Sequence, residues 1–169
     1  MRMSRRLRKF ALAVHLTVSI GWVGAVFAYV ALGVASVNSE EESTIRGAWI
    51  AMEVIGWWII VPLALASLLT GVLMALGTKW GLIRYYWVLI SFVLTTFATM
   101  ILLFHMPDVS TVADQARAAR GSELQGLGGD LFHAGVGLTI LLIVLVLNVL
   151  KPPGLTRYGW RRQESPRAN

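Results

Sequence analysis

Four unbroken apolar stretches, Phe10–Val37, Ala48–Leu76, Tyr85–Met106 and Leu131–Leu150, constrain this chain more than any other feature. A helix rising about 1.5 Å per residue needs roughly 20 residues to cross ~30 Å of hydrocarbon, and each stretch reaches that length. Open sheet is excluded in lipid, because its edges would leave backbone N–H and C=O groups without partners. The expected fold is therefore all-α: an integral membrane four-helix bundle with helices over about 10–37, 48–76, 85–106 and 131–150. Residues 1–154 then form one domain, and 155–169 a polar, mobile tail. The first apolar run is too long for the core of a signal peptide and is read as a helix that stays.

Composition agrees with the bilayer as solvent: 56% of the residues are hydrophobic and 14% charged. The net charge of +6 points to topology and not to nucleic acid, because the bases flank the apolar runs and no nucleic-acid motif accompanies them. Arg2, Arg5, Arg6, Arg8, Lys9, Lys79, Arg84, Lys151, Arg157, Arg161, Arg162 and Arg167 fall on one side of the helices. Only Arg46, Arg117 and Arg120 fall on the other. Bases concentrate on the cytoplasmic side, so both termini are expected there, in a bacterial plasma membrane crossed several times. The outer connections are acidic, with Glu40, Glu41 and Glu42 in the first and Asp108, Asp114, Glu123 and Asp130 in or beside the second. The second, from about Pro107 to Asp130, has room for a short surface helix over Ser110–Arg120 before the glycine-rich turn Gly126-Leu-Gly-Gly129.

Helix packing leaves its own marks. Gly24, Ala28, Ala31 and Ala35 form a small-residue stripe on the first helix, as do Ser67, Gly71 and Ala75 on the second, and both stripes are expected to face partner helices, of the same chain or of another copy. Pro62 should disturb the second helix and free a carbonyl one turn earlier. Trp49, Trp57, Trp58, Trp80, Tyr85, Tyr86, Trp87, Tyr158 and Trp160 fall mostly near helix ends, where they read as interfacial anchors. Trp22 and Trp57 are the two that could instead wall a cofactor.

The chain has no cysteine, which removes disulfides, iron–sulfur clusters, thiolate metal sites and thiol nucleophiles together. Phosphate-cradling loops, nucleophile elbows and His–Glu zinc-protease motifs are also missing from the sequence, and no catalytic residue is assigned. What remains is the set of ionisable groups at membrane depth: His15, Glu53, His105 and His133. His105 ends the third stretch and His133 begins the fourth. Because those helices run in opposite directions, the two imidazoles stand at matching depth and can face each other. Such a pair suits the axial positions of a b-type haem, or copper or zinc. Thr95 and Ala98 below His105, and Gly137 one turn inside His133, leave room for a flat macrocycle. Glu53 is the expected acceptor that orients one imidazole, and Met106 offers a further metal ligand. A structural reading stands beside this one: interfacial histidines that only hydrogen-bond, with Asp130 serving the helix start and pairing with His133. His15 lies near the opposite face. It either serves a second cofactor, with Met74 or Arg84 nearby, or hydrogen-bonds a neighbouring helix.

The segment His15-Leu-Thr-Val-Ser-Ile-Gly-Trp22-Val-Gly24 resembles the first helix of copper-resistance D-type membrane proteins and of the haem-containing membrane protoporphyrinogen oxidase. A wider resemblance runs through Ser67-Leu-Leu-Thr-Gly71, Lys79-Trp-Gly-Leu82, Arg84-Tyr-Tyr-Trp87, Leu103-Phe-His-Met106 and Lys151-Pro-Pro-Gly-Leu-Thr-Arg-Tyr-Gly-Trp160. It is similar to an uncharacterised four-helix membrane protein family common in actinobacteria, which implies the fold and no activity. The first resemblance implies a haem- or copper-associated role for His15, Trp22 and Gly24. The leading expectation is thus a membrane protein that binds haem b, or copper as second choice, in electron transfer or in haem or metal handling. The alternative is a non-enzymatic accessory or assembly subunit with structural histidines, and a small transporter ranks last. Expected partners are the lipid bilayer and either further copies of the chain or a larger membrane complex, with no nucleic acid.

Overall fold

The computed structural model describes residues 3–78 and 80–164. Arg2, Lys79 and Arg167 of the basic set lie outside these residues, as does the end of the tail. The described chain is helical, with no strand among the described residues. Four helices are long and apolar enough to cross a membrane: α1 (Arg5–Asn38), α2 (Glu42–Gly77), α3 (Tyr86–Ala118) and α5 (Leu131–Leu150). Short α4 (Ser122–Gln125) lies in the connection between α3 and α5, and α6 (Arg157–Glu164) follows the last span. Packing closes a ring in which α1 meets α2 and α5, and α3 meets the same two.

Three of the spans are much longer than hydrocarbon requires. At about 1.5 Å per residue α1, α2 and α3 each run about 50 Å, whereas α5, with 20 residues, covers only about 30 Å. The third helix therefore departs from the expected boundary at Met106. It continues through Pro107 to Ala118, and the separate surface helix over Ser110–Arg120 is its last part. Met106, Val109, Ala113 and Ala116 are buried at helical spacing, opposite the buried Ile45, Trp49 and Met52 of α2, so the extension carries its own apolar seam. Its last turn is closed from outside the helix: the Arg46 guanidinium donates to the Ala116 and Ala119 carbonyls at 3.0 and 2.9 Å.

Pro62 acts as expected, and the form of the disturbance is specific. The proline has no N–H to give to the preceding turn, and the chain absorbs the defect in a π-turn over Gly56–Ile60, where the Val61 N–H reaches back to the Gly56 carbonyl. Gly56 leaves room there for the end of the Met106 side chain. A Cβ would lie 2.5 Å from Met106 Cε and 2.7 Å from its sulfur.

The two small-residue stripes differ. Ser67 and Ala75 are buried and Gly71 abuts His15, so the α2 stripe faces its neighbour. Gly24, Ala28, Ala31 and Ala35 are exposed on the outside of the bundle and face none of the chain's own helices. Helix α1 packs through Trp22, Val26, Tyr29, Gly33 and Ser36 instead. Trp49 and Trp87 are likewise buried inside the bundle and are not interfacial anchors. The expected tail is partly docked: Thr156 donates through its hydroxyl to the Ile83 carbonyl at 2.7 Å and accepts the Gly159 N–H at 3.1 Å, fixing the start of α6 against the α2–α3 connection.

Candidate functional site

Where α5 begins, the chain enters the bundle and does not stay at its rim. Gly129 packs so closely on α1 that a Cβ would lie 2.5 Å from the Gly33 carbonyl oxygen. The adjacent Gly128, with φ +62°, turns its own carbonyl toward two donors, Ser36 Oγ at 2.8 Å and Trp49 Nε1 at 3.2 Å. This clamp delivers Asp130 to the level of Tyr29, about two turns inside the end of α1.

Asp130 is the centre of the site. Its side chain is 8% exposed, and it makes no helix-capping bond of its own. Instead its Oδ2 accepts from Tyr29 Oη at 2.9 Å and His105 Nε2 at 2.7 Å, and its Oδ1 accepts from His133 Nδ1 at 3.3 Å. Burial raises the carboxyl's pKa, but the hydrogen bond and charge of His105, with help from Tyr29 and His133, outweigh it and hold the group below its ordinary value. A carboxylate at this point only accepts, so His105 donates to it through Nε2 and His133 through Nδ1. The remaining ring nitrogens are His105 Nδ1, 4.0 Å from the exposed Asp108, and His133 Nε2.

The two imidazoles do meet across the α3–α5 interface. They stack, with ring centroids 3.9 Å apart and planes inclined by 26°. One ligand atom from each of His105, Asp130 and His133 lies within 4.8 Å of the others. Two imidazoles and one carboxylate form a donor set used by copper, zinc and non-haem iron. A bis-histidine haem has one imidazole on each face of the macrocycle, and rings stacked at 3.9 Å leave no gap for one. The arrangement thus fits a single ion and does not fit a haem held between these two rings.

The other sequence-selected residues have different surroundings. Glu53 does not orient an imidazole, because its carboxylate is held by Arg117, which also reaches Asp114. Asp130 takes the orienting role. Met106 is 1% exposed and its sulfur fills the space over Gly56, a packing role for a flexible side chain. His15 is remote from the pair. Its Nδ1 lies 2.9 Å from Thr70 Oγ1, whose own hydrogen goes to the Ala66 carbonyl at 2.7 Å, so His15 is the donor. Ser19 and Ser67 bond one another at 2.8 Å one turn away, completing a polar clamp between α1 and α2. Of the aromatic candidates, Trp22 lines a cavity of about 420 Å³ below the imidazoles, together with Ala98 and Gly137, while Trp57 donates to Ser110 at 2.9 Å nearer the surface. Tyr29 was not foreseen from sequence. Its only mark there is a hydroxyl placed mid-stretch, away from the headgroup level where tyrosines usually rest. Comparison with protein-family models, with characterised proteins and with solved structures finds no match to this chain.

Proposed function

We propose that this is a small multi-pass membrane protein, of the bacterial plasma membrane with both ends cytoplasmic, that binds one transition-metal ion through His105, Asp130 and His133. Copper is the favoured ion, and the role is metal handling or electron transfer. The observation that carries this reading is the convergence of three ligand atoms within 4.8 Å at one end of an otherwise apolar bundle. Ionisable groups are costly at membrane depth, and three of them gathered from two elements are better accounted for by a shared ligand than by chance. An ion would take the place of the protons now held between the imidazoles and Asp130, so its affinity falls as pH drops. Orientation rests on the bases: twelve on the proposed inner side against three on the outer.

One observation favours the alternative of an accessory subunit with structural histidines. Asp130 already accepts from three donors with no ion required. Equilibrium titration of Cu(II), then Zn(II), into protein held in lipid nanodiscs separates the two. The metal reading expects one ion per chain, with affinity at least tenfold weaker in His105→Ala, His133→Ala and Asp130→Asn. Absence of stoichiometric binding, or binding indifferent to these changes, leaves the accessory reading.

A further inference from the structure

The cavity of about 420 Å³ beneath the imidazoles has a composition that restricts its occupant. Its walls are apolar, contributed by α1, α2, α3 and α5, and its only side chains able to form hydrogen bonds through N–H or O–H groups at the outer end are Tyr29, His105 and His133, apart from the indole of Trp22. It extends from His133 to Leu141, about 12 Å along α5, within the part of that helix matched to hydrocarbon. Phe132, 76% exposed, and His133, with 48% of its side chain exposed, stand at its rim.

The chemistry of the polar end excludes most lipid heads. No Lys or Arg is among the described residues that line the cavity, so a phosphate or fatty-acid carboxylate would find no fixed cation there. An ammonium head would need Asp130, whose oxygens are taken by three donors. What suits the end is a neutral head that exchanges hydrogen bonds with His133. That ring donates Nδ1–H to Asp130, and its Nε2 has no hydrogen-bond partner among the described residues. As a neutral imidazole it accepts from a hydroxyl, and as imidazolium it donates to a carbonyl. Ala98 and Gly137 bring almost no side chain into the cavity below the imidazoles, which leaves room there for a flat ring.

We infer that this cavity is a binding site for a prenylated quinone, with the ring beneath His133 and the isoprenoid tail running out to lipid. Volumes of a few hundred Å³ hold a small ring and the first part of a chain. The site needs no metal: the cavity and the free nitrogen of His133 are present without one, so the inference stands apart from the metal reading.

The test uses the full chain in nanodiscs of fixed lipid composition, stripped with EDTA, and titrated with ubiquinone-2 while tryptophan emission is followed. Trp22, on the cavity wall, should be quenched by a ring bound beside it. Gly137→Leu fills the slot, and because nothing lies within 4 Å of a Cβ at that position the fold accepts the change. Gly24→Leu, equally unobstructed but on the outer surface, is the control. Saturable quenching is expected in the wild type, weakened at least tenfold in Gly137→Leu, about tenfold in His133→Ala, and unchanged in Gly24→Leu. Quenching that rises linearly without saturation, that is indifferent to Gly137→Leu, or that palmitic acid displaces as well as a second quinone does, overturns the assignment. Copper titration of the same samples is scored independently, so either reading can fail while the other survives.

Discussion

The two ends of the bundle each place histidine between packed helices, and only one of them has a carboxylate. At the inner end His15 gives its Nδ1–H to Thr70, Thr70 passes its hydrogen to the Ala66 carbonyl, and Ser19 pairs with Ser67. No carboxylate joins His15, Thr70, Ser19 and Ser67, so the cluster is a hydrogen-bonded clamp of the kind that joins helices in lipid. At the outer end Asp130 gathers Tyr29, His105 and His133 around one negative charge. A charge in that position has to be compensated by protons or by a metal, whereas hydroxyls ask for neither. Histidine at membrane depth is thus uninformative alone, and the group that faces it decides between packing and chemistry.

This contrast can be broken by experiment. Removing the carboxylate has the largest expected effect: Asp130→Ala strands Tyr29 Oη and two imidazole donors, and should lower unfolding stability by about 3 kcal/mol, read from denaturant or thermal unfolding in detergent. A loss no larger than that of an inner-end change would remove the distinction between the ends. Gly129→Ala comes next. It leaves every site residue in the sequence but forces a Cβ against the Gly33 carbonyl, so about 2 kcal/mol should be lost as Asp130 is displaced, and metal affinity should fall with it. Unchanged melting and unchanged affinity would mean that the loop is not clamped as described. His15→Ala is expected to be the mildest. One neutral hydrogen bond and some packing are lost, about 1 kcal/mol, with no change in copper titration. A fall in copper affinity there would place the inner end in the same system as the outer.

The sequence carries the four spans openly, because lipid permits little else for runs of that length. It also carries the meeting of His105 and His133, since antiparallel neighbours put the end of one apolar stretch beside the start of the next, although the helix itself runs on past His105. Other features were hidden for identifiable reasons. Pro107 looks like a helix stop, yet a proline interrupts only one hydrogen bond, and the seam from Met106 to Ala116 with the Arg46 closure outweighs that. Glu53 looks like the available carboxylate by depth along its helix, but Arg117 sits on a part of α3 that the expected boundary did not include. Asp130 reads as a helix-start acid on the surface, and only the close approach of Gly129 to Gly33 makes it a buried centre. The outward direction of Gly24, Ala28, Ala31 and Ala35 has no signal in spacing, since a stripe defines a face and not the direction in which it points.

The loop before α5 also bears on how the molecule is made. Helices of a membrane protein insert first and pack afterwards, and α5 is apolar enough, with a mean hydropathy of 2.3, to enter the bilayer without its neighbours. Until it docks, Gly128 has neither Ser36 nor Trp49 to hold it, and Asp130 remains at the membrane surface in water. The polar site therefore exists only once α5 has docked, and an incompletely packed chain carries neither the buried charge nor the chemistry that the charge supports.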